Sequence, residues 1–301
     1  MSANTLHCYA LALDPVHVGA GGYRLGRVDN TIIREPGTDL PKLPGSSISG
    51  VCRNNAIYTL DEKERAEAVQ CATKKDKEGK PAKDQNNCGK CVVCKTFGFA
   101  SPDNQTGNQI GRVKFFDARL LAFPVRSMIG PLWVTTAGQL RDAGVDCPAP
   151  GQETVLVNFD MPGNQQRLNI GWLYLAARKE AAIQLPAVQG LPAGIAERLV
   201  VAPEWLYAEI VNNNLEVRTS VSIDFETGAA KSGALFTYEA VPRSALFAFD
   251  VVIDTHRCQG DGEANKVEQV VRNGLSLFET LGMGGMNTRG FGRVKILFAD
   301  Q

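Results

Sequence analysis

The sequence predicts an α+β fold built on a mainly antiparallel sheet. Short runs of strand character recur along the chain, among them LHCYALAL (6–13), RVKFFDARLLAF (112–123), RTSVSIDF (218–225) and VKILF (294–298). Late in the chain Val267, Val270, Val271, Leu275, Phe278 and Leu281 recur at helical spacing, which predicts an amphipathic helix between strands. The turn-rich ETGAAKSG (226–233) between two strand-like runs predicts a β-hairpin.

Taken in order, the first strand covers residues 6–13 and closes at Asp14-Pro15. A glycine-rich loop, Gly19–Gly26, carries Tyr23 and Arg24. Pro44 and Gly45 set the start of a helix that Ser46 or Ser47 can cap and that runs to about Leu60. Residues 61–109 then break the pattern as a surface insertion: a charged tract, a lysine-rich stretch from Lys74 to Lys83 and a cysteine cluster. A single strand is expected from Gly111, and a helix near Leu132–Ala143. Residues 147–170 show no clear pattern, and 171–201 are helical in composition, broken at Pro186 and Pro192. The hairpin lies within 205–245. Asn265 and Glu268 have the spacing of a capping box for the last helix, which ends at Gly282 before GMGGMNTRGFGR (282–293) and the final strand. This order fits one domain over 1–301, ferredoxin-like with long insertions.

Hydrophobic content of 44% and charged content of 21% are ordinary for a soluble chain of 301 residues. Thirty-two basic residues balance 32 acidic ones, which argues against indiscriminate coating of nucleic acid yet permits a local basic groove. No apolar run reaches the ~18–20 residues of a membrane span. The opening MSANTLHCYALALD lacks a signal-peptide pattern, so the cytosol is the expected compartment. The scattered Cys8, Cys52, Cys147 and Cys258 are then expected as reduced thiols.

Cys71, Cys88, Cys91 and Cys94 form C-x16-C-x2-C-x2-C. Four thiolates at ~2.3 Å satisfy a structural zinc ion, and an insertion poor in apolar residues gains folding energy from metal. A redox thiol pair, or another ligand in place of Cys71, is the alternative. Gly45-Ser46-Ser47 at a helix start presents amides to an anion, with Arg53 two turns on; the alternative is an ordinary cap with a solvated arginine. The loop holding Gly284, Gly285, Arg289, Gly290 and Arg293 lets backbone approach a ligand, or is simply a glycine turn. Asp29 sits in a loop between Arg27 and Arg34, where a turn residue is the default and a catalytic group the sharper reading. Asp117, Asp224, Glu226 and Glu239 carry less signal. Of His7, His17 and His256, only His17 is placed for acid–base work, and no Ser-His-Asp set is legible.

VDNTIIREPGTDLPKLPGSSISGVCR, CGKCVVCKTFG, VKFFDARLLAFPVRSMIG, GALFTYEAVPRSALF and GMGGMNTRGFGRVKI together resemble, in order, RAMP-superfamily CRISPR proteins. The likeness is to the Cas-seven-type backbone subunit of type III effector complexes. FFDARLLAFPVRSMIG points to the type III-B Cmr version, while the cysteine cluster is similar to the type III-A subunit. The resemblance implies a ferredoxin-like (RRM-like) palm, a zinc-binding insertion and a thumb hairpin. It implies copies stacked head to tail along a guide crRNA with other effector subunits. Each thumb then displaces one nucleotide, and complementary target RNA is cut beside it. On that pattern Gly45, Ser46, Ser47, Arg53, Arg24 and the loop residues Gly284, Gly285, Arg289, Gly290 and Arg293 hold guide RNA. Asp29 matches the cleavage aspartate, with His17, Arg27 and Glu239 as candidate helpers. Mg2+ or another divalent ion would support cleavage, leaving a 2′,3′-cyclic phosphate and a 5′-OH. Three rivals stand beside this reading: an inactive guide-RNA scaffold, a stand-alone guide-processing RAMP endoribonuclease using His17, and a zinc-stabilised interaction module.

Overall fold

A computed structural model describes residues 4–21, 28–73, 90–99, 109–258 and 262–299. The first part runs β1 (Asn4–Ala12), β2 (Lys42–Leu43), α1 (Gly45–Thr59), α2 (Glu62–Thr73), α3 (Val92–Phe97), β3 (Gly98–Phe99), β4 (Gln109–Ile110) and β5 (Val113–Phe115). The middle follows with β6 (Ala118–Ser127), β7 (Gly130–Thr135), α4 (Ala137–Asp142), β8 (Thr154–Val157), β9 (Arg167–Ile170), β10 (Leu173–Lys179), α5 (Ala193–Ala196) and β11 (Leu199–Val201). Then come α6 (Glu204–Asn213), β12 (Glu216–Ile223), β13 (Ala230–Ala240), β14 (Leu246–Ile253), α7 (Glu263–Ser276), α8 (Phe278–Leu281) and β15 (Val294–Phe298). The fold is α+β, and the chain divides into two compact units: Met1–His7, Pro44–Asp117 and Phe249–Leu281 in one, Cys8–Leu43, Ala118–Ala248 and Gly282–Gln301 in the other. Among the described residues no helix is long and apolar enough to cross a membrane.

The large sheet runs in the order β15-β1-β14-β6-β7-β11-β8-β10-β9, with β2 paired to β6 and β5 to β14. The sheet is mixed but mainly antiparallel: β10 runs parallel to β8 and β11 parallel to β7, while β15–β1, β14–β6, β6–β7, β11–β8 and β10–β9 are antiparallel pairs. Its core gathers Tyr9, Leu11, Leu121, Trp133, Leu156, Leu199 and Leu246. Trp133 is buried and its indole N–H donates to the Ser244 carbonyl at 2.8 Å, which satisfies its one polar atom. The hairpin β12–β13 forms as expected, with Arg218 opposite Tyr238 and Thr219 opposite Thr237.

In the first unit α1 packs against α7 at close range. The Gly274 backbone passes so near α1 that an added Cβ would lie 2.7 Å from the Cys52 carbonyl oxygen. Gly274→Ala is therefore expected to overpack this crossing and cost about 1–3 kcal/mol. Urea denaturation of the full chain measures it, and a cost near zero would mean the crossing yields freely. The apolar stripe of α7 is buried as its spacing predicts at Val267, Val270, Val271 and Leu275. Leu281, expected on the same face, is 48% exposed; α7 ends at Ser276 with Leu277 as its C-cap, and Leu281 closes the separate short helix α8.

Several local expectations are corrected. Asn265 lies inside the first turn of α7, whose N-cap is Gly262 with φ 87°; Glu268 instead accepts from Arg272 at 2.7 Å and from the Asn4 amide at 2.6 Å. Residues 132–135 belong to β7, not a helix, since branched and aromatic side chains pair with β6 across a tight turn. LYLAARK (173–179) is β10, its helix-forming residues overruled by partners on both edges. The run from Gly111 is two strands, interrupted where the Asp117 carboxylate turns to accept the Gly45 N–H at 2.8 Å. The charged tract after residue 61 is helical as α2.

Candidate active site

The second unit brings Asp29, His17, Glu239 and the glycine loop into one hydrogen-bonded neighbourhood at the base of the β12–β13 hairpin. Val28 and Ile32 are buried and anchor the chain on both sides of Asp29, whose side chain is left exposed. Asn30 is stitched to β13: its N–H donates to the Thr237 carbonyl at 3.0 Å, and the Glu239 N–H donates to the Asn30 carbonyl at 2.9 Å. Thr237 also holds the Asp29 carboxylate. Its N–H and its hydroxyl both donate to Oδ2 at 2.8 Å, and the Asp29 N–H donates back to Oγ1 at 2.9 Å. The backbone amide first, and then the hydroxyl, favour the anion and hold the Asp29 carboxyl below its ordinary value.

Glu239, two residues along β13, faces the protein instead. Its Oε1 accepts from Arg34 Nη2 at 2.7 Å and its Oε2 from the Ile32 N–H at 3.1 Å. The Arg34 guanidinium also donates to Asn212 Oδ1 and to the Ile32 carbonyl, both at 3.2 Å. His17 is 8% exposed, and its Nδ1 lies 2.6 Å from the Glu239 carbonyl oxygen, an acceptor that places the proton on Nδ1. Both oxygens of the Glu239 carboxylate are engaged. Glu239 and His17 are thus committed to holding the Asp29 limb and the hairpin together.

The glycine loop packs back on the same neighbourhood. The Gly285 N–H donates to the His17 carbonyl at 2.8 Å. Gly284 has φ +83° and sits where a Cβ would fall 2.5 Å from that carbonyl oxygen, so its close approach is to the chain itself. Arg293 donates to Asp14 at 2.5 and 3.1 Å, and this pairing lowers the Asp14 carboxyl from its ordinary value. Arg218 stacks on Phe291 at 4.5 Å and ties the hairpin base to the loop beside Gly290. Arg289 is exposed, and among the described residues no hydrogen bond or ion pair engages its guanidinium.

Gly45, Ser46, Ser47, Arg53 and the cysteine cluster belong to the first unit. Ser46 and Ser47 do not cap α1: the N-cap is Pro44, without a side-chain bond, and the serines fall inside the first turn. The Gly45 amide meets the chain's own Asp117 carboxylate, and Arg53 Nη1 donates to the Gly98 carbonyl at 2.7 Å. Cys91 and Cys94 are buried thiols beside Ile57, Ala68 and Val93, and the Cys94 N–H donates to Cys91 Sγ at 3.4 Å. Two cysteine sulfurs three residues apart are of the ligand type that a soft metal ion takes. Cys88, the Cys71 side chain, Arg24, Arg27 and Lys74–Lys83 lie outside the described residues, among which no three His, Cys, Asp or Glu side chains gather as a metal site. Thr237 and Arg34 are the site residues that sequence reasoning missed. Thr237 sits 208 positions from Asp29, and no local spacing could have signalled it.

Comparison with known proteins gives a consistent picture. The chain is 24% identical over 308 residues to the CRISPR system Cmr endoribonuclease Cmr4 of Pyrococcus furiosus, covering 96% of this chain and 93% of the relative. A chain in the cryo-EM structure of the type III-B Cmr-beta bound to cognate target RNA shares the fold, with a TM-score of 0.69, 16% identity and coverage of 98% of this chain and 97% of that one. The crystal structure of oligomeric Cmr4 from Pyrococcus furiosus gives 0.63 at 18% identity, over 100% of both chains. A model of the RAMP superfamily matches residues 10–295, and on that match the chain belongs to the RAMP superfamily.

Proposed function

We propose that the chain is a repeated backbone subunit of a type III CRISPR effector complex, acting in the cytosol. It binds guide crRNA, stacks with copies of itself and with other effector subunits, and cuts complementary single-stranded RNA at regular intervals. The observation that carries this is Asp29: an exposed carboxylate in a RAMP chain, fixed through one oxygen and set at the base of a long hairpin. A similar protein bears the name of an endoribonuclease, a structure of like fold holds cognate target RNA, and another is oligomeric. On this reading the large sheet serves as the ferredoxin-like (RRM-like) palm and β12–β13 as the thumb.

Cleavage requires the ribose 2′-OH in line with the scissile phosphorus, a geometry that stacked A-form RNA does not reach. A nucleotide displaced by the hairpin reaches it beside Asp29. The 2′-oxygen then attacks phosphorus as its proton passes to solvent water. The bond from phosphorus to the 5′-oxygen breaks, the departing oxygen takes a proton from solvent, and the products are a 2′,3′-cyclic phosphate and a 5′-OH. Because hydrogen bonds hold the Asp29 carboxyl below its usual value, it is a poor general base, and its Oδ1 works by orienting the 2′-OH or a hydrated cation. Mg2+ or another divalent ion bound there would neutralise charge on the phosphoryl oxygens. The exposed Arg289 is the loop cation best placed to meet phosphate. His17, nearly buried with Nδ1 engaged, argues against a stand-alone processing enzyme that relies on it.

Reconstitution of the full complex with a guide, labelled complementary RNA and Mg2+ tests the reading. Evenly spaced products with cyclic phosphate ends are expected; bound but uncut target would leave the inactive scaffold.

Cys91 and Cys94 are proposed as two ligands of a structural zinc ion completed by Cys88 and Cys71. Structural zinc contributes an apparent ~10–16 kcal/mol in small sites. Chelation, or Cys91→Ser with Cys94→Ser, is expected to release about one zinc per chain and lower the thermal midpoint. A wild-type chain purified without zinc, and indifferent to chelator, would refute the site.

A further inference from the structure

All three polar groups of Thr237 are turned to the Asp29 limb. Its amide and hydroxyl donate to Asp29 Oδ2, its hydroxyl oxygen accepts the Asp29 N–H, and its carbonyl accepts the Asn30 N–H. A hydroxyl has one proton to give, and here it goes to the carboxylate. An exposed aspartate ordinarily samples several rotamers. With Oδ2 held by two donors the carboxylate plane is set, and among the described residues no other residue hydrogen-bonds Oδ1 of this exposed side chain. The two Thr237 bonds are the leading causes of the lowered Asp29 carboxyl.

We propose that Thr237 is the positioning residue of the site, fixing Asp29 Oδ1 as the working oxygen and tying it to the strand that rises into the hairpin. This rests on the nuclease reading above. Thr237 touches no RNA in this scheme and acts only through Asp29. A misplacement of about 1 Å at a reacting group can cost ~10²-fold in rate. A shape-preserving loss of the hydroxyl should therefore slow cleavage without weakening target binding.

The test uses Thr237→Val, Thr237→Ser, Thr237→Ala and Asp29→Ala in the assembled complex, with single-turnover cleavage, target affinity and thermal midpoint measured for each. Valine keeps the branched shape and the amide bond but lacks the hydroxyl, and a ~10–100-fold slower rate at unchanged affinity and product spacing is expected. Serine keeps the hydroxyl and should retain most of the wild-type rate. Alanine should match valine, which guards against a folding defect peculiar to valine. If valine and alanine cleave like wild type while Asp29→Ala is dead, the positioning role is overturned. If serine is as slow as valine with an equal midpoint, the hydroxyl is not the agent and the inference falls. If Asp29→Ala itself cleaves normally, the nuclease reading fails first, and that result is separate from either of the others.

Discussion

Asp29→Ala is expected to abolish regularly spaced cleavage while leaving guide and target binding intact. The loss should be at least ~10²-fold, the scale for removing one preorganised group from a charge-stabilising site. The side chain is exposed, carries no buried contacts, and its deletion leaves only the Thr237 donors, which water can satisfy. Folding stability should therefore move little. Asp29→Asn is the finer probe, because its amide keeps the shape but cannot accept on both atoms or bind a cation as a carboxylate does. Both should be inactive in the denaturing-gel assay with intact target retention on a native gel. Spaced products from Asp29→Ala at the wild-type rate would clear this residue, and the chain would then hold RNA while cutting is done elsewhere.

The second large effect is on stability. Arg34 and Glu239 form a nearly buried pair, with side chains 11% and 12% exposed. Breaking such a pair from one side costs about 3–5 kcal/mol, because the surviving charge is stranded away from water. Glu239→Ala takes away the close carboxylate of the Arg34 guanidinium, leaving it Asn212, the Ile32 carbonyl and a more distant Asp39 at 3.8 Å, and strands the Ile32 N–H. Glu239→Gln keeps an acceptor and should cost less. Replacing both members with Leu or Met removes the stranded charge and should recover a large part of the loss. Chemical denaturation of wild type, Arg34→Met, Glu239→Met and the double variant, taken as a double-mutant cycle, gives the coupling directly. If Glu239→Ala costs under ~1 kcal/mol, the pair does not hold the Asp29 limb. Where the full loss appears, cleavage should fall with it, since Ile32 and Asn30 would no longer be pinned to β13.

The parts of this fold legible in the sequence are those written in local code. The β12–β13 hairpin announces itself by alternation on either side of a glycine-bearing turn, and α7 by its apolar stripe. What misled lies in pairing at a distance. LYLAARK has the composition of a helix, but β8 and β9 take it as a strand from either edge. The serines after Pro44 look like caps, yet Asp117, 72 positions on, supplies the acceptor for the first helical amide. Asp29 itself was legible only through likeness to a family; taken alone, a loop aspartate is a turn residue. Its clamp was invisible, because a threonine in a strand has no local mark of what it faces. Arg293 and Arg53 were singled out for their charge, and the structure directs those charges to Asp14 and the Gly98 carbonyl.

Asn30 meets β13 in a parallel bridge at Tyr238, with bonds to the residues on both sides of it. A joint of this kind has no intermediate settings. Moving along the strand by one residue, about 3.3 Å, turns the opposite face outward, so the next equivalent position is a full two-residue step away. The phase between the carboxylate and the hairpin is thus quantised by the pleat. Partial disruption of the joint would lower the yield of cuts at the correct phosphate without spreading them onto its neighbours.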